Sequence, residues 1–157
     1  MLVVPLPPTA DLEKLLGGLL MRGVKLAKAP GTTPGEPPLA LALFRTDAPV
    51  LEVAVVCDVS LAASLAAALS VIPPSAVKEC VAAGGLDESL RENFAEVMNV
   101  VARFVSGAGR RFALSKVACA PDVAPELLEA ARGSDERREL TAEVAGYAGG
   151  SIAFCTL

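Results

Sequence analysis

Four polar residues, Glu92, Glu96, Asn99 and Arg103, recur at steps of three and four within residues 86–105, LDESLRENFAEVMNVVARFV. At about 100° per residue they fall in one narrow sector of a helix. Carboxylates offer acceptors and negative charge, a carboxamide both donates and accepts, and a guanidinium donates in a fixed fork. Such a strip binds and orients polar groups. It is not a nucleophile with its base, because the chain has no His and so no Ser-His or Cys-His pair.

The helix that must carry this strip is legible on its other side. Leu90, Phe94, Val97, Val101 and Phe104 form the apolar seam of a helix packed on a core. Asp87 stands at the N-cap position, and Gly107 where a C-terminal glycine stop belongs. Ala95 and Ala102 flank the polar sector. That sector breaks local rules. Glu88, Glu92 and Glu96 are spaced four apart, which costs roughly 0.2–0.5 kcal/mol per like-charged pair. Asn99 competes for backbone hydrogen bonds in mid-helix. An ordinary solvated face is the plain reading. Local inconsistency of this kind also collects at functional sites.

Composition narrows the function classes. A chain of 157 residues, 53% hydrophobic, can bury one real core. A net charge of −4 argues against a nucleic-acid partner, and Arg110-Arg111 and Arg137-Arg138 read as solvated turn residues. Mean hydropathy is high at +0.52, but the longest uncharged helical run, residues 59–72, stops at Pro73-Pro74. That is short of the ~20 residues a membrane span needs. With no basic segment at the N-terminus, a signal peptide is not expected and the chain reads as cytoplasmic. Cys57, Cys80, Cys119 and Cys155 form no Cys-x-x-Cys, and without His no zinc or other metal site is expected. Cys57, Cys119 and Cys155 lie in apolar runs and read as buried, reduced thiols. No phosphate-binding glycine loop is present, and Gly107-Ala108-Gly109 reads as a helix stop.

The remaining elements follow from periodicity and punctuation. Residues 1–8 form an apolar, Pro-rich, flexible lead-in. Thr9 or Asp11 caps a first helix carrying Leu12, Leu15, Leu16, Leu19 and Leu20, with Gly17-Gly18 for close packing and Gly23 as its end. A strand covers 24–29 and a mobile loop 30–38. Strands at 39–46 and 50–58 are close enough in sequence to pair antiparallel. An Ala-rich helix at 59–70 is apolar most of the way round and therefore buried. A short helix at 75–83 leads to the polar-strip helix. A strand at 110–120, a helix at 125–132, a charged turn at 133–137 and a hairpin of 140–147 with 151–157 complete the chain. This order lacks strict β-α alternation and favours a single α+β domain with a largely antiparallel sheet and two long helices packed on it.

The helix with Glu96-x-x-Asn99, followed by Pro121, resembles the CheX/CheC/FliY family of chemotaxis response-regulator phosphatases. The likeness includes LEVAVVCDVSLAASLAAALSVIPP (51–74), similar to the family's strand and following helix, and the strand FALSKVACA (112–120). With one motif helix rather than two, the chain is most similar to the single-site CheX branch. The resemblance implies a CheC-like fold and hydrolysis of an aspartyl-phosphate on a receiver domain. It assigns Asn99 to positioning the attacking water and Glu96 to pairing with the receiver's lysine. Glu92 and Arg103 would contact the partner. Any Mg²⁺ would sit on the receiver, and this chain would bind no cofactor. The sequence departs from the family at Glu92, where Asp or Ser is usual, and at Ala95 and Ala102-Arg103, where Gly is common. Those departures support the alternative, a non-catalytic binding module of the same fold in a signalling or flagellar-switch assembly.

The last strand, SIAFCTL, is almost wholly apolar. At an open edge it would pair with a second copy, and a homodimer is the preferred reading. At the centre of the sheet the same composition would be ordinary core.

Overall fold

In a computed structural model, residues 6–31 and 39–157 are described, Ala108 by its backbone alone. The loop expected at 30–38 and the lead-in at 1–8 lie largely outside these residues. The order is α1 (Thr9–Leu20), β1 (Val24–Lys28), β2 (Leu39–Arg45), β3 (Glu52–Asp58), α2 (Val59–Leu69), α3 (Pro74–Ala83) and α4 (Glu88–Val105). A 3₁₀ turn (Ser106–Ala108), β4 (Ala113–Cys119), α5 (Pro125–Arg132), β5 (Arg137–Val144) and β6 (Gly150–Thr156) follow. The six strands form one sheet in the order β1-β5-β6-β3-β2-β4, antiparallel at every pairing. The architecture is α+β, as the element order predicts.

One face of the sheet carries the main core. Helices α2 and α4 pack here, α4 being the longest of the described helices at 18 residues, and α1 joins them through Leu12, Leu16 and Leu20. Helix α2 is buried all round: Ala62, Ala63, Ala66 and Ala67 are fully enclosed. Their small side chains let α4 and the sheet approach it closely. The other face is covered in part by α5, whose Leu128 and Ala131 pack with Leu39, Leu41, Leu43, Ala54, Val56, Ala153 and Cys155. β2 and β3 are therefore buried on both faces, which is why LALALF and VAVVC show no polar alternation.

Four local expectations are corrected. α1 has Pro8 at its N-cap with no side-chain cap from Thr9 or Asp11. It ends at Leu20, with the exposed Met21 in the left-handed region (φ 53°) rather than at Gly23. A Cβ on Gly18 would meet open space, so that glycine is not required by helix packing. The last strand is not an edge. β6 is hydrogen-bonded to β5 on one side and β3 on the other, so it offers no free backbone to a second copy. Its apolar composition is the signature of a central strand. The sheet's edges are β4 and β1, the latter with Lys25 and Lys28 as expected for a protected edge.

A polar knot joins the start of β6 to α2. The Asp58 carboxylate caps α2 by accepting from Leu61 N (2.8 Å) and also accepts from Ser151 N (3.0 Å). Ser60 Oγ donates to Gly149 O (2.6 Å), and Gly149 N donates to Ser64 Oγ (3.0 Å). Ser64 is fully buried. A Cβ at Gly149 would collide with the Ala142 carbonyl, and one at Gly150 with the Asp58 carboxylate. Ser64→Ala strands a buried N–H at Gly149. The expected loss is about 1–3 kcal/mol in denaturant unfolding; a change below about 0.5 kcal/mol would show that the hydroxyl does not hold the turn.

All four cysteines are free and buried. Burial pushes the Cys155 thiol up to about 11 and raises that of Cys57 well above the ordinary value. Thiols so disposed remain protonated and behave as small apolar core groups.

Candidate functional site

Helix α4 begins where the sequence places it. Asp87 Oδ1 accepts from Leu90 N at 2.9 Å, closing the first turn. Eighteen residues at 1.5 Å each give a rod roughly 27 Å long. Leu90, Phe94, Val97, Val101 and Phe104 are buried as the seam requires, and Met98 and Val105 widen it. The stop is not at Gly107. Ser106 caps the helix, a 3₁₀ turn follows, and Gly109 takes the positive φ of 99°.

Two residues missed by the sequence reading fix the helix to its surroundings. Asn93 Nδ2 donates to Ala66 O (3.0 Å) and to Ser70 Oγ (2.8 Å), tying α4 to the end of α2. Arg91 Nε donates to Leu86 O (3.0 Å), and its guanidinium reaches Ala120 O (3.4 Å) and Asp122 (3.8 Å). An Asn and an Arg at the margin of an apolar stripe give no periodic signal, so only their partners reveal these roles.

Glu92, Glu96, Asn99 and Arg103 are all exposed on the outward face of α4. Among the described residues none of the four has a hydrogen-bond or ion-pair partner. Asn99 and Arg103 line an open groove of about 400 Å³ with Ala102, Ser106 and Arg111. Its far wall is Phe112 and the start of β4, Ala113 and Leu114. Glu96 and Glu92 lie one and two turns further toward the N-terminus, outside the groove. Pro121 is not brought to Asn99. Because β4 returns antiparallel to α4, Pro121 lines a separate groove of about 390 Å³ with Asp87, Arg91 and Cys80. Arg91 precedes Asn99 by eight residues, or about 12 Å along the helix.

Among the described residues no three His, Cys, Asp or Glu side chains gather closely enough to hold a metal ion. No helix there is long and apolar enough to cross a membrane. What the strip offers is a rigid row of one amide, carboxylates and a guanidinium, facing solvent.

The sheet order and the helix layer define an α+β protein of the CheC-like fold. A CheC-like superfamily protein from Shewanella sp. PV-4 matches over 95% of this chain and 94% of its own, with a TM-score of 0.55 and 13% identity. FliM from H. pylori, solved in complex with SpeE, matches over 93% of this chain and 80% of its own, with a TM-score of 0.65 and 11% identity. CheX from Borrelia burgdorferi, solved with CheY, BeF3 and Mg, matches over 91% and 90%, with a TM-score of 0.52 and 12% identity. No protein-family model and no curated protein matches the sequence. At these identities the likeness is one of fold.

Proposed function

We propose that this chain is a CheX-like phosphatase, acting in a cytoplasmic chemotaxis or related two-component pathway on the aspartyl-phosphate of a receiver domain. The observation that carries the reading is the presentation of Glu96 and Asn99. They stand one turn apart, exposed and without a partner among the described residues, on the outer face of a helix whose other face is locked into the core. The fold it shares with a CheX solved together with CheY, BeF3 and Mg supports the same reading.

The chemistry asks little covalent work of this chain. Water attacks phosphorus, the bond from phosphorus to the aspartyl oxygen breaks, and free carboxylate and inorganic phosphate leave. The transition state of such transfers is loose, so positioning and charge neutralisation dominate. The Asn99 carboxamide oxygen accepts a hydrogen bond from the attacking water and fixes its approach. Glu96 pairs with a lysine of the receiver and sets the register of docking. Mg²⁺ is supplied by the receiver. A helix pinned at Asp87, Asn93 and Arg91 is a stiff platform for both side chains.

The second reading, a binding module without turnover, draws on the departures at Glu92, Ala95 and Arg103 and on the fold match to FliM. One experiment separates them. Substoichiometric protein is added to a panel of receiver domains phosphorylated with a small phosphodonor, and phosphate release is followed. Multiple turnovers per chain are expected with at least one receiver. Binding without turnover would select the module.

A further inference from the structure

The groove beside Asn99 has a charge of its own. Residues 97–115 contain Arg103, Arg110 and Arg111 and no Asp or Glu, in a chain whose net charge is −4. Arg103 and Arg111 come from different elements yet line the same groove, with Asn99 on its helical wall. Their convergence is built rather than incidental. Ser106 Oγ accepts from Phe112 N (2.9 Å) and donates to Phe112 O (3.2 Å), clamping the returning chain against the end of α4. Phe112 is buried, so the residue before it is held at the groove's rim. Arg103 and Arg111 are exposed, and among the described residues neither has a hydrogen-bond or ion-pair partner.

The outer face of α4 is therefore bipolar. Glu88, Glu92 and Glu96 make its first half acidic. Arg103 and the adjoining Arg111 make its end cationic, and Asn99 stands at the junction. We infer that the Arg103–Arg111 groove is the seat of the partner's anionic, phosphoryl-bearing rim, while the acidic half of α4 faces its lysine. This rests on the reading of Glu96 and Asn99 as the partner-facing site, and adds to it Arg111 as an anion-binding residue and a fixed orientation of the partner along the helix. Guanidinium groups suit this role because their planar forks match phosphate and carboxylate oxygens two at a time. An excess of guanidinium over carboxylate at one end and the reverse at the other disfavours the flipped orientation.

The test measures affinity for a receiver domain loaded with Mg²⁺ and beryllofluoride, apart from turnover. Arg111→Glu and Arg111→Ala are compared with Lys116→Glu. Lys116 is exposed and lies opposite Leu43, whose side chain packs on the far face of the sheet, so its reversal changes net charge equally without touching the groove. Arg111→Glu is expected to weaken binding at least ~10-fold and to flatten its salt dependence. Arg111→Ala should show a smaller loss, and Lys116→Glu should stay within about twofold of the unaltered chain. Equal effects of Arg111→Glu and Lys116→Glu would overturn the groove and leave the proposed function standing. Tight, Arg111-dependent binding with no turnover would uphold the groove and remove the phosphatase reading. Failure of the unaltered chain to bind any receiver would overturn both.

Discussion

Asn99→Ala is expected to lower turnover of a phosphorylated receiver by ~10²–10³-fold, the usual effect of removing one positioned polar group from a transition state. The fold should survive intact. Asn99 is exposed in mid-helix, holds no partner among the described residues and is a poorer helix former than Ala by up to ~0.7 kcal/mol. Melting temperature should therefore stay level or rise slightly. Affinity for a beryllofluoride-loaded receiver should change little, because the amide is asked to orient water and not to hold the partner. That separation of kcat from binding distinguishes a catalytic amide from a docking contact. Undiminished turnover, or a fall in kcat/KM caused wholly by weaker binding, would remove Asn99 from the chemistry.

The strip was legible because a helix turns the same angle at every residue. Once the seam of Leu90, Phe94, Val97, Val101 and Phe104 is set, the outward placement of Glu92, Glu96, Asn99 and Arg103 follows by geometry, and all four are exposed. The buried α2 was legible for a related reason, its lack of any polar face. What periodicity cannot report is which strands become neighbours. SIAFCTL has the composition of an apolar edge and of a central strand alike, and only the pairing to β3 and β5 decides for the centre. The same limit hid Arg111. In sequence it is half of an Arg-Arg pair in a turn. It becomes part of the groove only because Ser106 folds the chain back beside α4. Pro121 illustrates the converse: its spacing from Asn99 suits the resemblance, yet the antiparallel return of β4 carries it to Arg91.

Phe104→Ala should be among the most destabilising single changes on α4, and Arg103→Ala, its immediate neighbour, among the least. Phe104 is 4% exposed and meets Phe154 edge to face, with ring centroids 5.4 Å apart at 63°. Phe154 is fully buried on the central strand β6, so the pair fastens the last turn of α4 to the middle of the sheet. Truncating a buried Phe costs about 3–5 kcal/mol through lost burial and the cavity left behind. Against a typical total of about 5–15 kcal/mol, that is a large share of the stability. At roughly 2–4 °C per kcal/mol for a chain of this size, the melting temperature should fall on the order of 6–20 °C. Arg103 is exposed and without a partner among the described residues, so its truncation should stay within about 0.5 kcal/mol. Denaturant unfolding of both variants checks the pair. The site should respond in the opposite order to the fold. Arg103→Ala spares the structure while weakening the cationic end of the strip. Phe104→Leu, which refills much of the cavity, should restore stability and docking together, because the aromatic side chain serves the site only by holding α4 in place. A loss below about 1 kcal/mol in Phe104→Ala would mean that α4 is not anchored through this contact, and the stiffness claimed for the platform would have to come from Asn93 and Arg91 alone.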